Sequence, residues 1–258
     1  MVTGVAAFVL LPITILALYS VSAQWNYPDL APTSYSMEWY EYFFHYEGGL
    51  AALILSVEIA CASTVLALLL GVPAGYVLAR HRFKGQTVLE MLFLAKNAVP
   101  VIVLGVGTAS LFIALGLYDT FVGILLAHAV GGLPLMIWTC TAAFQGIGNE
   151  YEEAARDVGA GFTRVFFEIL LPMAKPGIIA GTILVFLFSM DEFTITLLIS
   201  GAQYTTLPLR LYSTLQQGYI EPASASAVVL LMPSLIFLVL VGRFLRLSEV
   251  GPSLHPAG

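Results

Sequence analysis

Three carboxylates in this 258-residue chain stand where a charge is costly: Glu58 inside one apolar run, and Asp191 and Glu192 side by side inside another. A charge at the centre of a bilayer costs on the order of 2.5–3.5 kcal/mol by insertion scales, so an ionisable residue there is a functional candidate. Counted from the ends of their runs, Asp191 is nine residues from Ser200 and Glu58 eight from Leu50. At 1.5 Å per residue both fall roughly 12–14 Å below one surface. Carboxylates from two helices could meet at that depth and hold or relay a cation, since no Lys or Arg lies in that half of either run. Glu58 has a structural alternative, as a protonated or hydrogen-bonded side chain in a helix bundle. Asp191 and Glu192 are harder to explain that way, because adjacent residues point to different faces of a helix. Lys96 reads as a snorkelling or paired side chain. Cys61 and Cys140 lie in separate apolar runs and read as packing residues, since one pair makes no metal or redox pattern.

Elements able to position these carboxylates must be membrane helices. The chain is 59% apolar and 10% charged, with a mean hydropathy of +0.91, where a soluble domain carries about 25% charged residues. So few charges cannot clothe a globule of this size, whereas a bilayer does not demand them. The sequence holds no GxxxxGK[ST] phosphate loop, no H-E-x-x-H and no Gly-rich dinucleotide fingerprint. We therefore expect no catalytic residues, metal site or cofactor, and no nucleic-acid partner. Energy for active transport would have to come from a partner or an ion gradient.

Six stretches approach the roughly 20 apolar residues that a spanning helix needs: residues 2–21, 50–78, 88–115, 121–144, 177–200 and 224–245. The third is interrupted by Lys96-Asn97 and Pro100. The first competes with a signal peptide, because Val21-Ser22-Ala23 resembles a cleavage site, but it has no preceding Lys or Arg and a long apolar core. It reads as a retained span, and the near-absence of residues ahead of it hints at a start further upstream. Residues 24–49 are rich in Trp, Tyr and Phe and suit a short element at the headgroup level, with Ser36 placed to cap a helix. An aromatic substrate cage is the alternative. Residues 201–223 read as a polar connection, and 246–258 as a disordered polar tail.

Orientation follows from Lys and Arg. Arg80, Arg82, Lys84, Arg156, Arg164, Lys175, Arg243 and Arg246 fall on one side and Arg210 alone on the other, eight against one. Both termini and the connection between the fourth and fifth spans are thus expected in the cytoplasm. Within that connection, Asn149 with Glu152 forms a capping-box-like helix start. Tyr151, Ala154, Ala155 and Val158 then make one apolar face, with Glu152 and Glu153 away from it. Gly159 allows the helix to end and turn. A second helical piece, 163–170, precedes Pro172 and Pro176, which permit a sharp re-entry into the membrane. Lipid-facing helices carry Lys and Arg, yet residues 149–157 hold four carboxylates and one Arg, which favours a protein partner.

The run from Glu153 to Pro172, EAARDVGAGFTRVFFEILLP, resembles the Glu-Ala-Ala loop of permease subunits of binding-protein-dependent ABC importers. The matching positions are Glu153, Ala154, Ala155, Gly159, Ile169, Leu171 and Pro172, with no slip in spacing. FSMDEFTITLLISG, RHRFKG and AHAVGGLP resemble corresponding stretches of the spermidine/putrescine permeases. The resemblance implies an all-helical membrane protein of six spans, a permease domain over 1–248 with a coupling loop at 145–176, and a cytoplasmic tail at 249–258. It implies ATPase coupling through Glu153, Ala154, Ala155 and Gly159, with Ile169, Leu171 and Pro172 shaping the loop, and a cationic cargo for which Asp191 and Glu192 are chemically apt; with Glu58, these are the substrate-pathway residues expected from their place in the apolar runs. It also implies a second permease subunit, two ATP-binding cassette subunits, an extracytoplasmic solute-binding protein and surrounding membrane lipids, in a bacterial inner membrane. A polyamine is the best match for cargo, with ferric iron, opines and phosphonates as alternatives. A stand-alone gradient-driven transporter, relaying protons or cations through the three acids, is the rival from another class.

Overall fold

Long apolar runs with few charges satisfy their backbone polar groups internally by becoming helices, and this chain does so nearly throughout. The computed structural model describes residues 2–25, 29, 31–45 and 48–249, with backbone only at 2–7, 9, 94–97 and 244–249. Lys96, Tyr27, Tyr46 and the tail from 250 onward therefore fall outside the described side chains. In order the elements are α1 (Val2–Ser20), β1 (Ser22–Gln24), β2 (Ser34–Tyr35), α2 (Glu38–His45), α3 (Gly49–Arg80), α4 (Gln86–Ala98), α5 (Val101–Leu115), α6 (Phe121–Gln145), α7 (Glu150–Asp157), α8 (Phe162–Arg164), a π-helical turn (Val165–Leu170), α9 (Leu171–Asp191), α10 (Thr194–Ile199), α11 (Leu207–Gln216) and α12 (Ile220–Glu249).

Among the described residues, four helices are long and apolar enough to cross a membrane: Gly49–Arg80, Phe121–Gln145, Phe162–Asp191 and Ile220–Arg243. The interruption expected in the third stretch is a break at Val99–Pro100 that divides α4 from α5. Three expectations need correction. The fifth stretch does not begin at 177 and end at 200: its helix starts at Phe162 and stops at Asp191. Residues 201–223 are not simply a polar connection, because they contain α11. Thr206 precedes that helix in extended conformation, Pro208 occupies its first turn, and the buried Leu207 donates its N–H to Ser56 Oγ at 2.8 Å. Finally, α12 carries helix on through Arg246 to Glu249.

The chain groups into two compact units. One takes Met1–Ile59, Gly105–Ile124 and Met190–Ser234; the other takes Ala60–Leu104, Leu125–Ser189 and Leu235–Gly258. In the first unit, α2 is pinned on three sides. Phe43 is buried with Ala52, Leu207 and Val229. Trp39 Nε1 donates to the Ser22 carbonyl at 2.7 Å, and Tyr40 donates to Ser20 Oγ at 2.8 Å. Ser36 caps α2 by accepting the Glu38 N–H at 3.1 Å, the role its position suggests. The same unit holds a clasp at Asp119, which has φ 51. Its carboxylate accepts the N–H groups of Gln203 (3.1 Å) and Tyr204 (3.2 Å), while its own N–H donates to the Ile199 carbonyl at 2.9 Å.

The second unit is built on close backbone approach. Membrane helices gain little from hydrophobicity against each other and associate where small residues let them pack tightly. Gly71 and Gly75 on α3, four apart, seat against Met136 and Cys140 of α6. Gly177 and Gly181 on α9 repeat that spacing against Ala143, Thr139 and Met136 of the same helix. A Cβ at Gly75 would stand 2.5 Å from the Cys140 Cβ, so α6 is held between two glycine faces. Cys140 is thus a packing residue, whereas Cys61 is exposed on α3. Buried in the same unit, His128 Nδ1 lies 2.8 Å and Ser63 Oγ 3.2 Å from Ser189 Oγ, joining α6, α3 and α9 by polar contacts.

Candidate functional site

The loop 145–176 begins where α6 ends at Gln145 and passes through Gly146, Ile147, Gly148 and Asn149 into α7. Asn149 starts that helix with its backbone, its carbonyl accepting the N–H groups of Glu152 and Glu153 at 3.0 Å each. Its side chain makes no cap, so the expected capping box does not form. The faces of α7 divide differently from the periodicity, with Ala155 of the apolar group and Glu152 of the polar group buried together. Glu152 is buried at 8% exposure, as is Ala155, while Tyr151 is 48% and Val158 85% exposed and Ala154 is exposed with them. Apart from Ala155, the apolar face is left open, as a helix that meets another surface requires.

Arg80, the last residue of α3, explains why Glu152 is buried. Its Nε donates to Glu152 Oε1 at 2.5 Å and its Nη2 to the Ile147 carbonyl at 2.9 Å. Tyr76, one turn earlier, donates its hydroxyl to Glu152 Oε2 at 3.3 Å, and Arg156 Nη2 stands 3.5 Å from the same oxygen. Burying a carboxylate is tolerated only when it is paired and its remaining lone pairs are used, and here both oxygens are. Tyr76 also packs edge-on against Phe144 and Phe166, so the polar joint rests on an aromatic floor. A cavity of about 200 Å³ lies alongside, bordered by His81, Asn149, Glu153 and Arg156 as well as by the pair.

At the other end of α7, Gly159 has φ +85 and donates to the Arg156 carbonyl at 2.8 Å, while Ala160 donates to the Ala155 carbonyl at 3.0 Å. That pair of bonds is a Schellman cap, which needs a left-handed residue where glycine sits. A Cβ at Gly159 would meet nothing within 4 Å, so conformation alone demands glycine there. Beyond it the expected sharp re-entry is absent: helix continues from Phe162 through Pro172 and Pro176 to Asp191. Pro172 lacks the N–H that the ladder would use, and its ring crowds the carbonyl four residues back. The wider π turn at Val165–Leu170, just before it, is a local adjustment that membrane helices use around proline. Ile169 and Leu171 are half-buried against the core, Leu170 is fully buried and Pro172 is exposed.

The carboxylates expected inside the membrane divide. Asp191 and Glu192 come together at a helix break, not in mid-helix. Asp191 closes α9 and is exposed, while Glu192 starts α10, its Oε1 accepting the Ile195 N–H at 2.8 Å. Glu58 is on another helix and is exposed on α3, on a stripe with Ile54, Cys61 and Val65.

Sequence reasoning counted Arg80 only as a positive charge and did not single out Tyr76, Gly71, Gly75, Gly177 or Gly181. The four-residue glycine spacing was the available signal for close helix packing. Nothing in the local sequence pairs Arg80 with Glu152, which lies 72 positions on.

Comparison with known proteins follows this geometry. Residues 71–249 match the family described as binding-protein-dependent transport system inner membrane component. The spermidine/putrescine transport system permease protein PotC of Haemophilus influenzae is 34% identical over 237 residues, 92% of this chain and 91% of that protein. The trehalose transport system permease protein SugB of Mycobacterium tuberculosis is 30% identical over 248 residues, 93% of this chain and 90% of that protein. Among solved structures, a bacterial alginate ABC transporter in complex with an alginate pentasaccharide-bound periplasmic protein aligns with a TM-score of 0.73 at 13% identity. The alignment covers 97% of this chain and 93% of that one, and bears on the fold alone. The chain belongs to the family of binding-protein-dependent transport system inner membrane components, the permease subunits of ABC importers.

Proposed function

We propose that this permease carries a polyamine such as spermidine or putrescine inward, driven by ATP hydrolysis on partner subunits. The observation that carries the coupling part is the seating of α7: an ion-paired carboxylate holds the helix from beneath, and Tyr151, Ala154 and Val158 stand open among Glu150, Glu153 and Asp157. A surface of that composition suits a protein cleft better than headgroups. Two ATP-binding cassette subunits would dock there and on the equivalent loop of a second permease subunit, contacting Glu153 and Ala154, with Ala155 seating the helix on its own core and Gly159 setting the exit. Ile169, Leu171 and Pro172 shape the loop. A solute-binding protein would deliver cargo to the outer mouth. ATP binding would close the ATPases, draw the loops together and turn the pathway outward; hydrolysis would reset it.

In this reading the bilayer is crossed six times. The four long helices are joined by α1 and by the broken pair α4–α5, whose apolar parts are shorter (Leu10–Ser20 and Val101–Leu115). Both termini and loop 145–176 face the cytoplasm, residues 1–248 form the permease domain, and 249–258 form the tail. The polyamine assignment rests on the relative from Haemophilus influenzae and on the exposed carboxylates Glu58 and Asp191, with Glu192 beside the latter. The trehalose relative supports a second reading, an uncharged small solute with the same machinery.

The test is uptake by vesicles containing the assembled importer, offered labelled spermidine or trehalose with and without ATP. We expect ATP-dependent spermidine uptake, lost with Gly159→Val while the subunit remains in the membrane. Uptake that survives ATP depletion would favour the gradient-driven rival, and trehalose uptake alone would replace the polyamine.

A further inference from the structure

Both covalent routes out of α7 run through glycine. Gly146 and Gly148 separate it from α6, and Gly159 and Gly161 separate it from the helix that begins at Phe162. Glycine is the residue with the least backbone restraint, so a push on α7 delivered along the chain would be absorbed in these two joints. Against its own core the helix offers mainly the Ala155 methyl and the Glu152 side chain. Glu152 is the strong hold. Its side chain and that of Arg80 are 10% and 9% exposed, whereas the neighbouring Arg164–Glu168 pair is 62–71% exposed. An exposed pair contributes little. A buried guanidinium is a rigid planar fork, and this one holds two acceptors at once, Glu152 on α7 and the Ile147 carbonyl beyond α6.

We propose that Arg80 and Glu152, steadied by the Tyr76 hydroxyl, form the joint through which displacement of α7 moves α3 and the end of α6. They are positioning residues: neither is assigned to contact cargo or nucleotide. The inference rests on the reading of α7 as the coupling element and adds the route by which its movement reaches the membrane helices.

The assembled importer in proteoliposomes, with binding protein and ATP, tests this through the number of solute molecules taken up per ATP hydrolysed. Glu152→Gln and Arg80→Gln should each lower that ratio about tenfold, and the double variant should be no worse than the poorer single one, because one joint is broken in all three. Arg80→Lys, which keeps the charge but loses the fork, should fall between. If uptake, hydrolysis and subunit yield fall together with the ratio unchanged, the pair is only structural and the proposal is overturned. Should the glutamine variants not assemble, Tyr76→Phe and Arg80→Lys decide: a two- to threefold lower ratio supports the joint, and an unchanged ratio in both overturns it. Gly159→Val separates the two levels. If it uncouples while the Arg80 and Glu152 variants do not, the joint alone is wrong. If none of them changes the ratio, the coupling reading falls with it.

Discussion

Glu152 and Asp191 are both carboxylates attached to helices of one membrane subunit, and their surroundings could hardly differ more. Glu152 is enclosed, with Arg80, Tyr76 and Arg156 around its two oxygens. Asp191 stands exposed at the end of α9, beside the break that Glu192 helps to make. A buried charge must be compensated from within the fold, so Glu152 belongs to the subunit's own architecture. Asp191 is exposed at a strongly apolar helix end, and in the proposed reading it is left for the cargo. Asp119 is intermediate: partly exposed, yet with its carboxylate committed to the backbone N–H groups of Gln203 and Tyr204. The three form a series in which the fold's claim on a carboxylate diminishes.

Removal of each carboxylate sharpens or breaks that series. Glu152→Ala strands the Arg80 guanidinium in a buried site and should cost about 3–5 kcal/mol, read as a collapse of subunit yield or of the thermal midpoint in detergent. A loss no greater than that of an ordinary surface substitution would remove Glu152 from its place at the head of the series.

Asp119→Ala should cost less, about 1–2 kcal/mol, through two orphaned N–H donors and an alanine in a left-handed conformation. The pH dependence gives a second check. Burial pushes the Asp119 carboxyl up, but N–H donors from Gly201, Gln203, Tyr204 and Ala202 together outweigh it and hold the carboxyl below its ordinary value of 3.8. A lowered folded value means the clasp contributes fully above the ordinary carboxylate range and loses its contribution as pH falls through the lowered value. The midpoint gap between the wild-type protein and Asp119→Asn should therefore close on acidification; a gap that widens would reverse the sign.

Asp191→Asn should change stability by under about 0.5 kcal/mol and still reduce spermidine uptake about tenfold. Assembly and uptake falling in parallel would make Asp191 a residue that the fold itself requires and dissolve the distinction.

How much of this was legible beforehand differs by feature. Composition and apolar run length made the membrane helices readable, and Pro100 marked the interruption between α4 and α5. The cap at Ser36 and the left-handed exit at Gly159 were also readable, because each depends on one residue's own chemistry. The burial of α7 was not. Periodicity grouped Tyr151, Ala154, Ala155 and Val158 on one side, but Ala155 is buried beside Glu152 while the other three stand exposed. The deciding partner, Arg80, is distant in sequence. The end of α9 was misplaced for a related reason. A continuous apolar run from 177 to 200 resembles one span, and only the Glu192 carboxylate taking the Ile195 N–H divides it. Prolines misled in the opposite direction: Pro172 and Pro176 suggested a corner, where a local change of helical pitch lets the rod pass through.

That change of pitch has a consequence of its own. Each residue of an α-helix advances the side-chain direction by about 100°, and a π turn accommodates one residue more than its α counterpart. The Val165–Leu170 turn therefore sets the phase between Phe162, under Tyr76, and the Gly177–Gly181 face that seats on α6. Tightening it to uniform α pitch with all its residues kept would rotate one end against the other by roughly a quarter turn. Either the aromatic contact or the glycine seat would then be lost. The turn works as a clocking ring, keeping the two ends of one rod aligned to two different neighbours.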